Sequence, residues 1–151
     1  MEPDNNTKTR EEIFTLKAAA YNVCYATACP LSRHCLRHIL AGYVAADRLY
    51  VRSVNLSNPA TQRDGCPMYR IDEPLRMPVG LAAVYHDMPS HIERAVKRQL
   101  IGAFSRKTYY EYHNGKRPMT PDVEEYVRQT LQAHGWTQEP AFAGYTDDYQ
   151  W

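Results

Sequence analysis

Cys24-Tyr25-Ala26-Thr27-Ala28-Cys29-Pro30-Leu31-Ser32-Arg33-His34-Cys35 places three of the four cysteines of this chain within twelve residues. The fourth, Cys66, stands in a second turn-forming stretch, Gly65-Cys66-Pro67, so the full spacing is C-x4-C-x5-C-x30-C. Thiolates bind zinc well because the ion is soft enough for sulfur and accepts a tetrahedral shell, and four cysteines from two loops can close a structural site. Cys24, Cys29, Cys35 and Cys66 are therefore the expected metal ligands, with zinc as the expected ion. The tight C-x2-C knuckle of zinc ribbons is absent. The same four sulfurs suit an iron-sulfur cluster, and Cys29-Pro30 and Cys66-Pro67 fit cluster loops, although the C-x2-C-x2-C run of ferredoxins is missing. A third reading takes them as reduced thiols packed as small hydrophobes.

Within and beyond this stretch, Ser32 is the expected cap of a helix over 33–41, with Leu36, Ile39 and Leu40 inward and Cys35 in its first turn. His34 and His38, four apart on that helix, and His86 and His91, flanking a loop, are available nitrogen ligands that four cysteines make unnecessary. Before the cysteines, residues 1–10 read as a disordered lead, and the Ile13, Leu16 and Lys17 spacing with an alanine run predicts a short helix over 11–20. After them, 49–54 is β-prone and 55–67 reads as a loop rich in Asn, Ser, Pro and Gly. Pro74 and Pro78 interrupt the next stretch, and Val79 to Tyr85 fits a short strand or a buried helical turn equally.

The last third is helical in pattern. Ile92, Val96, Leu100 and Ala103 form a stripe after Ser90; Ser105 opens a helix over 106–113 that stops at Asn114-Gly115; Thr120-Pro121 starts another, with Val123, Val127 and Leu131 inward, ended by Gly135. Residues 137–151 form an acidic, aromatic tail. The expected fold is mostly α with short extended segments: a metal-tied, Cys-rich region over 11–86 and a three-helix region over 87–136.

With 151 residues and 44% apolar composition the chain can build one globular domain or two small ones. A small half with few apolar runs gains cohesion from an ion that links its loops. The start is polar, and no apolar run approaches the length of a membrane span, which predicts a cytoplasmic protein without a membrane partner. In that reducing compartment an even cysteine count favours metal ligation over disulfides. A closed sulfur shell leaves no position for substrate, and no G-x-S-x-G, P-loop or H-E-x-x-H occurs, so the chain is expected not to be an enzyme.

The net charge of +1 conceals a local excess: 90–117 carries Arg94, Lys97, Arg98, Arg106, Lys107, Lys116 and Arg117 against Glu93 and Glu111. Such a segment suits a polyanion. The stretch Gln99-Leu100-Ile101-Gly102-Ala103-Phe104-Ser105-Arg106-Lys107-Thr108-Tyr109-Tyr110, followed by Asn114-Gly115-Lys116-Arg117-Pro118, resembles the helix-turn-helix of phage-repressor-like regulators. The resemblance covers about 45 residues of 90–135. It implies Phe104 in the turn, Ser105 as cap, Tyr109 and Tyr112 inward, and Arg106, Lys107 and Tyr110 outward on a recognition helix, although Gly102 lies one residue earlier than the pattern places its turn glycine. The expected nucleic-acid contacts are Arg98, Arg106, Lys107, Tyr110, Lys116 and Arg117, with DNA as partner. The alternatives are a helical hairpin whose cations form an ordinary solvated face, a protein-interaction adaptor stabilised by the zinc site, and, with an iron-sulfur cluster, a redox or sensor protein. Across the chain, the order Cys24, Cys29-Pro30, Cys35-Leu36-Arg37, Cys66-Pro67, Tyr109-Tyr110 and Gly115 is similar to an uncharacterised four-cysteine family of Bacteroidota, which implies a shared fold and no assigned activity.

Overall fold

The computed structural model describes residues 8–151 and is mostly helical, with one small sheet. The chain divides into two compact units, one running up to Glu73 and including Tyr149–Trp151, the other spanning Pro74–Asp148. The division falls earlier than the residue-86 boundary read from the sequence.

Of the expected disordered lead, residues 1–7 lie outside the described residues. The rest is ordered: Thr9 caps α1 (Arg10–Ala18) through a capping box, its Oγ1 accepting from the Glu12 amide at 3.2 Å while Glu12 Oε2 accepts from the Thr9 amide at 2.8 Å. Phe14 and Ala18, four apart, point inward, and Leu16 is exposed. The reason is aromatic: the Phe14 ring meets Tyr43, Tyr149 and Trp151 edge-on at 5.4, 5.2 and 5.8 Å, a larger apolar contact than a leucine provides. Val23, Leu36 and Leu40 complete this core. Arg10 secures the helix start with two bonds to the Asp72 carboxylate, at 2.9 and 2.8 Å.

Ser32–His34 is a 3-10 turn, and α2 (Leu36–Ala41) starts after Cys35, whose extended backbone makes it the cap residue. Ser32 therefore does not cap the helix as expected, and Cys35 lies outside its first turn. The backbone explains this, because Cys35 bridges antiparallel to Ile71 and that pairing needs an extended conformation. Leu36 N donates to Arg70 O at 2.7 Å and Asp72 N to His34 O at 3.0 Å. Residues 49–54 join no sheet; one parallel bridge, Val23 to Ser53, is their pairing.

In the second unit, β1 (Leu75–Val79) pairs antiparallel with β2 (Gly144–Asp148), in register Leu75 with Asp148 and Val79 with Gly144. Pro78, expected to interrupt, sits inside β1 opposite Tyr145. A two-stranded sheet has only edge strands, where a missing amide is tolerated, and the Pro78 carbonyl instead accepts from Met119 N at 2.9 Å. Part of the acidic tail is thus strand. Gly80 then turns with φ +81°, and Leu81–Tyr85 is helical, which resolves the strand-or-turn ambiguity there. Then come α3 (Ser90–Phe104), α4 (Arg106–His113) and α5 (Pro121–Ala133). Val96, Leu100, Tyr109, Met119, Val127 and Leu131 are fully or almost fully buried at their centre.

Candidate functional site

The four cysteines arrive from three stretches of chain, and each stretch is held by its own backbone bonds. Cys24 N donates to Arg37 O at 2.9 Å, and Val23 is tied on both sides to 52–54. Cys29 O accepts from Ser32 N at 3.2 Å, which starts the turn that leads to Cys35. Cys66 N donates to Arg63 O and Cys66 O accepts from Tyr69 N, both at 3.1 Å, so Cys66 occupies a tight double turn. The loop above is locked by Asn55 and Asn58, whose side chains accept from the Ser57 and Ala60 amides, and by Thr61 Oγ1 donating to Asn58 O at 2.8 Å.

These constraints bring all four cysteines to the lining of one cavity of about 20 Å³, together with Arg37, Val54, Thr61 and Met68. Cys35 is buried and the other three are half-buried. Burial is the main cause that pushes the Cys24 thiol above its ordinary value, and its closeness to Cys35, Cys29 and Cys66 adds to it. The histidines considered as substitutes, His34, His38, His86 and His91, are not in this lining. All four thiols are free, and among the described residues no group of three or more His, Cys, Asp or Glu side chains is arranged to hold a metal ion. The expected metal-tied arrangement is thus not seen among the described residues.

The residue that sequence reasoning missed is Arg37. It is 8% exposed, its Nε donates to Met68 O at 2.7 Å, its Nη1 to Asn22 O at 2.9 Å, and its guanidinium lies 4.6 Å from the Tyr21 ring centre. Burial holds its pKa below the ordinary arginine value. The signal available in advance was an arginine between Leu36 and Leu40 on the inward face of α2.

In the second unit Tyr109 and Tyr112 are buried and Arg106, Lys107 and Tyr110 are exposed, the inward and outward sets expected. Arg98 and Lys116 are also exposed, and among the described residues none of Arg98, Arg106, Lys107 and Lys116 forms an ion pair. Arg106 lies 5.7 Å from the Tyr110 ring centre. Arg117 pairs with Glu111 at 3.3 Å and is to that extent neutralised. The connection between α3 and α4 is Ser105 alone, with φ +71° and ψ 158°, and Gly102 lies inside α3. A helix-turn-helix uses about three to four turn residues, so this junction is tighter than the resemblance implied.

Two small units, one gathering four thiols around a cavity and the other a helical body with surface cations that lack ion-pair partners among the described residues, define a mostly α protein. The chain matches a family of unknown function (DUF6078) over residues 5–151 and belongs to that family. No curated protein and no solved structure matches it. Among the described residues no helix is long and apolar enough to cross a membrane.

Proposed function

We propose that this chain is a nucleic-acid-binding protein, with DNA as the first candidate, whose N-terminal unit is stabilised by one zinc ion on Cys24, Cys29, Cys35 and Cys66. The observation that carries the metal assignment is the convergence of all four cysteines, separated by up to 42 positions in the chain, on one cavity. Chance burial of thiols as small hydrophobes does not require them to share a lining. Four thiolates suit a single zinc ion and the C-x2-C-x2-C run of ferredoxins is missing, so zinc is preferred over an iron-sulfur cluster. The unit is also poor in regular structure, with α1, α2 and isolated bridges, so loop-linking by an ion would contribute directly to its folding. The role is structural, and the protein is not an enzyme.

The polyanion assignment rests on Arg98, Arg106, Lys107 and Lys116, which are exposed without carboxylate partners among the described residues, and on Tyr110, which offers a ring for stacking. It does not rest on helix-turn-helix geometry. Phosphate contacts by these cations release counterions, so affinity for a duplex falls with salt at a slope of about −0.9 per contact. Elemental analysis with thiol counting tests the first half: one zinc per chain protecting four thiols is expected, and zinc-free protein refutes it. Duplex binding at two salt concentrations tests the second. No binding at low salt, or binding unchanged by Arg106→Ala with Lys107→Ala, refutes it and favours an adaptor, for which the exposed Leu49 and Tyr50 are the available contact.

A further inference from the structure

Three of the seven large apolar side chains exposed among the described residues are consecutive in the chain: Leu49 at 98% exposure, Tyr50 at 86%, and Val51 beside them. Scattered apolar side chains are ordinary on a surface, whereas an exposed group rimmed by polar residues marks a place where another surface settles. Here the rim is cationic. Arg48 and Arg52 bracket the group, both are exposed, and among the described residues neither forms an ion pair, not even with the adjacent Asp47.

The segment is anchored on both sides, by Arg48 N donating to Ala45 O and Arg52 O accepting from Val23 N, both at 3.1 Å. Between the anchors, among the described residues, the amides and carbonyls of 49–51 make no backbone hydrogen bond. A held segment with open main chain costs a partner less ordering than a free loop. Arg48, Tyr50 and Arg52 also border a cavity of about 250 Å³, whose other wall is the end of α1 from Ala18 to Ala20. That is below the roughly 300–1,000 Å³ of small-molecule sites and suits one inserted side chain. Three kinds of partner use such a site differently. A bilayer takes up Leu49 and Tyr50 and leaves the cavity unfilled; a nucleic-acid strand engages the arginines and the Tyr50 ring and leaves Leu49 and Val51 in water. A peptide with carboxylates beside apolar side chains uses every part: acid against Arg48 and Arg52, apolar groups against Leu49 and Val51, and main chain against the open amides.

We infer that residues 48–52 form a docking site for an acidic peptide segment of a partner protein, one that carries apolar side chains among its carboxylates. The inference goes beyond the zinc and nucleic-acid readings and depends on neither. The test is fluorescence anisotropy on the full chain with three labelled peptides: glutamate alternating with valine, lysine alternating with valine, and glutamate alternating with serine. The glutamate-valine peptide is expected to bind saturably at low salt, and the other two about 10-fold more weakly or not at all. Leu49→Ser with Tyr50→Ser is expected to weaken its binding by about 10-fold or more. Arg48→Glu with Arg52→Glu is expected to reverse the preference, so that the lysine-valine peptide binds better than the glutamate-valine one.

A loss of structure does not produce such a reversal. All four side chains are exposed, so the variants are expected to melt with the unmodified chain. If the charge-reversed variant does not fold, Arg48→Gln with Arg52→Gln decides, and a preference for glutamate over lysine equal to that of the unmodified chain overturns the inference. Equal binding of the glutamate-valine and lysine-valine peptides by the unmodified chain, binding unchanged by either pair of substitutions, or no peptide binding at low salt overturns it as well. So does binding, in place of the peptide, to phosphatidylserine vesicles or to a single-stranded oligonucleotide that Leu49→Ser with Tyr50→Ser abolishes, which assigns the segment to a membrane or to a nucleic acid.

Discussion

Removing the hydroxyl of Tyr109 tests the buried polar chain at the centre of the C-terminal unit. Tyr109 is fully buried, and its hydroxyl lies 3.1 Å from the Tyr85 hydroxyl and 3.4 Å from His113 Nδ1. Burial pushes Tyr109 up to about 12, Tyr85 is pushed strongly upward by burial, and burial together with Lys97 holds His113 below its ordinary value. All three are neutral near pH 7, so Tyr109 donates its one proton to the Tyr85 hydroxyl and accepts from His113 Nδ1 in the tautomer that carries its proton there. Tyr109→Phe leaves the buried Tyr85 hydroxyl without a partner, at a cost of about 1–3 kcal/mol. Tyr85→Phe leaves Tyr109 its bond to His113 and is expected to cost about 0.5–1.5 kcal/mol. The double variant removes both hydroxyls and strands neither, so its cost falls short of the sum by about 0.5 kcal/mol or more. Denaturant titrations of the four proteins at pH 7.5, followed by near-ultraviolet circular dichroism, read this directly. Additivity within about 0.3 kcal/mol would refute the hydrogen-bonded chain.

Gly80→Ala is expected to destabilise the C-terminal unit by about 1–3 kcal/mol or more, because φ is +81° and an added Cβ would collide with that of Ala143; thermal melting measures it, and an unchanged midpoint contradicts it. Acidification should destabilise the same unit as pH falls below about 6.5, since the unfolded chain protonates His113 before the folded one does; the stability is fully present above the unfolded value and lost toward the lower folded one. His113→Gln should flatten the pH profile between those values, and an identical slope would contradict the assignment. Cys35→Ser should reduce the melting temperature of the N-terminal unit more than that of the C-terminal unit, because an incomplete shell loses metal-binding energy that doubles as folding energy. Equal effects on the two units, resolved by calorimetry, would refute it. Ser105→Gly should be neutral or stabilising, since the backbone there is one that glycine adopts without strain and the bond from Thr108 N to the Ser105 hydroxyl is long at 3.5 Å; clear destabilisation in a denaturant titration would contradict it.

The features legible in the residues alone were those that depend on near neighbours along the chain. The inward Val96, Leu100, Val127 and Leu131 of α3 and α5, the cap at Ser105, and the inward Tyr109 and Tyr112 follow from helical period and local capping, whereas Ala103 is exposed and Thr120 stands at the start of α5 without a side-chain bond to its amides. The cysteines were legible as a set because their residue type and turn-forming neighbours are local facts. The features left open needed partners distant in the chain. Pro78 reads as a break until β2 supplies an edge pairing that tolerates it, and which face of α1 is buried is decided only when Tyr43, Tyr149 and Trp151 surround Phe14. Cys35 reads as a helical residue until Ile71 draws its backbone into a bridge. Arg37 was hidden for the same reason: its bonds reach back 15 residues and forward 31, and a buried cation becomes intelligible only when the carbonyls and thiols around it are assembled in space. Local pattern sets where helices form; long-range closure, which no periodicity encodes, selects which side chains end up around one cavity.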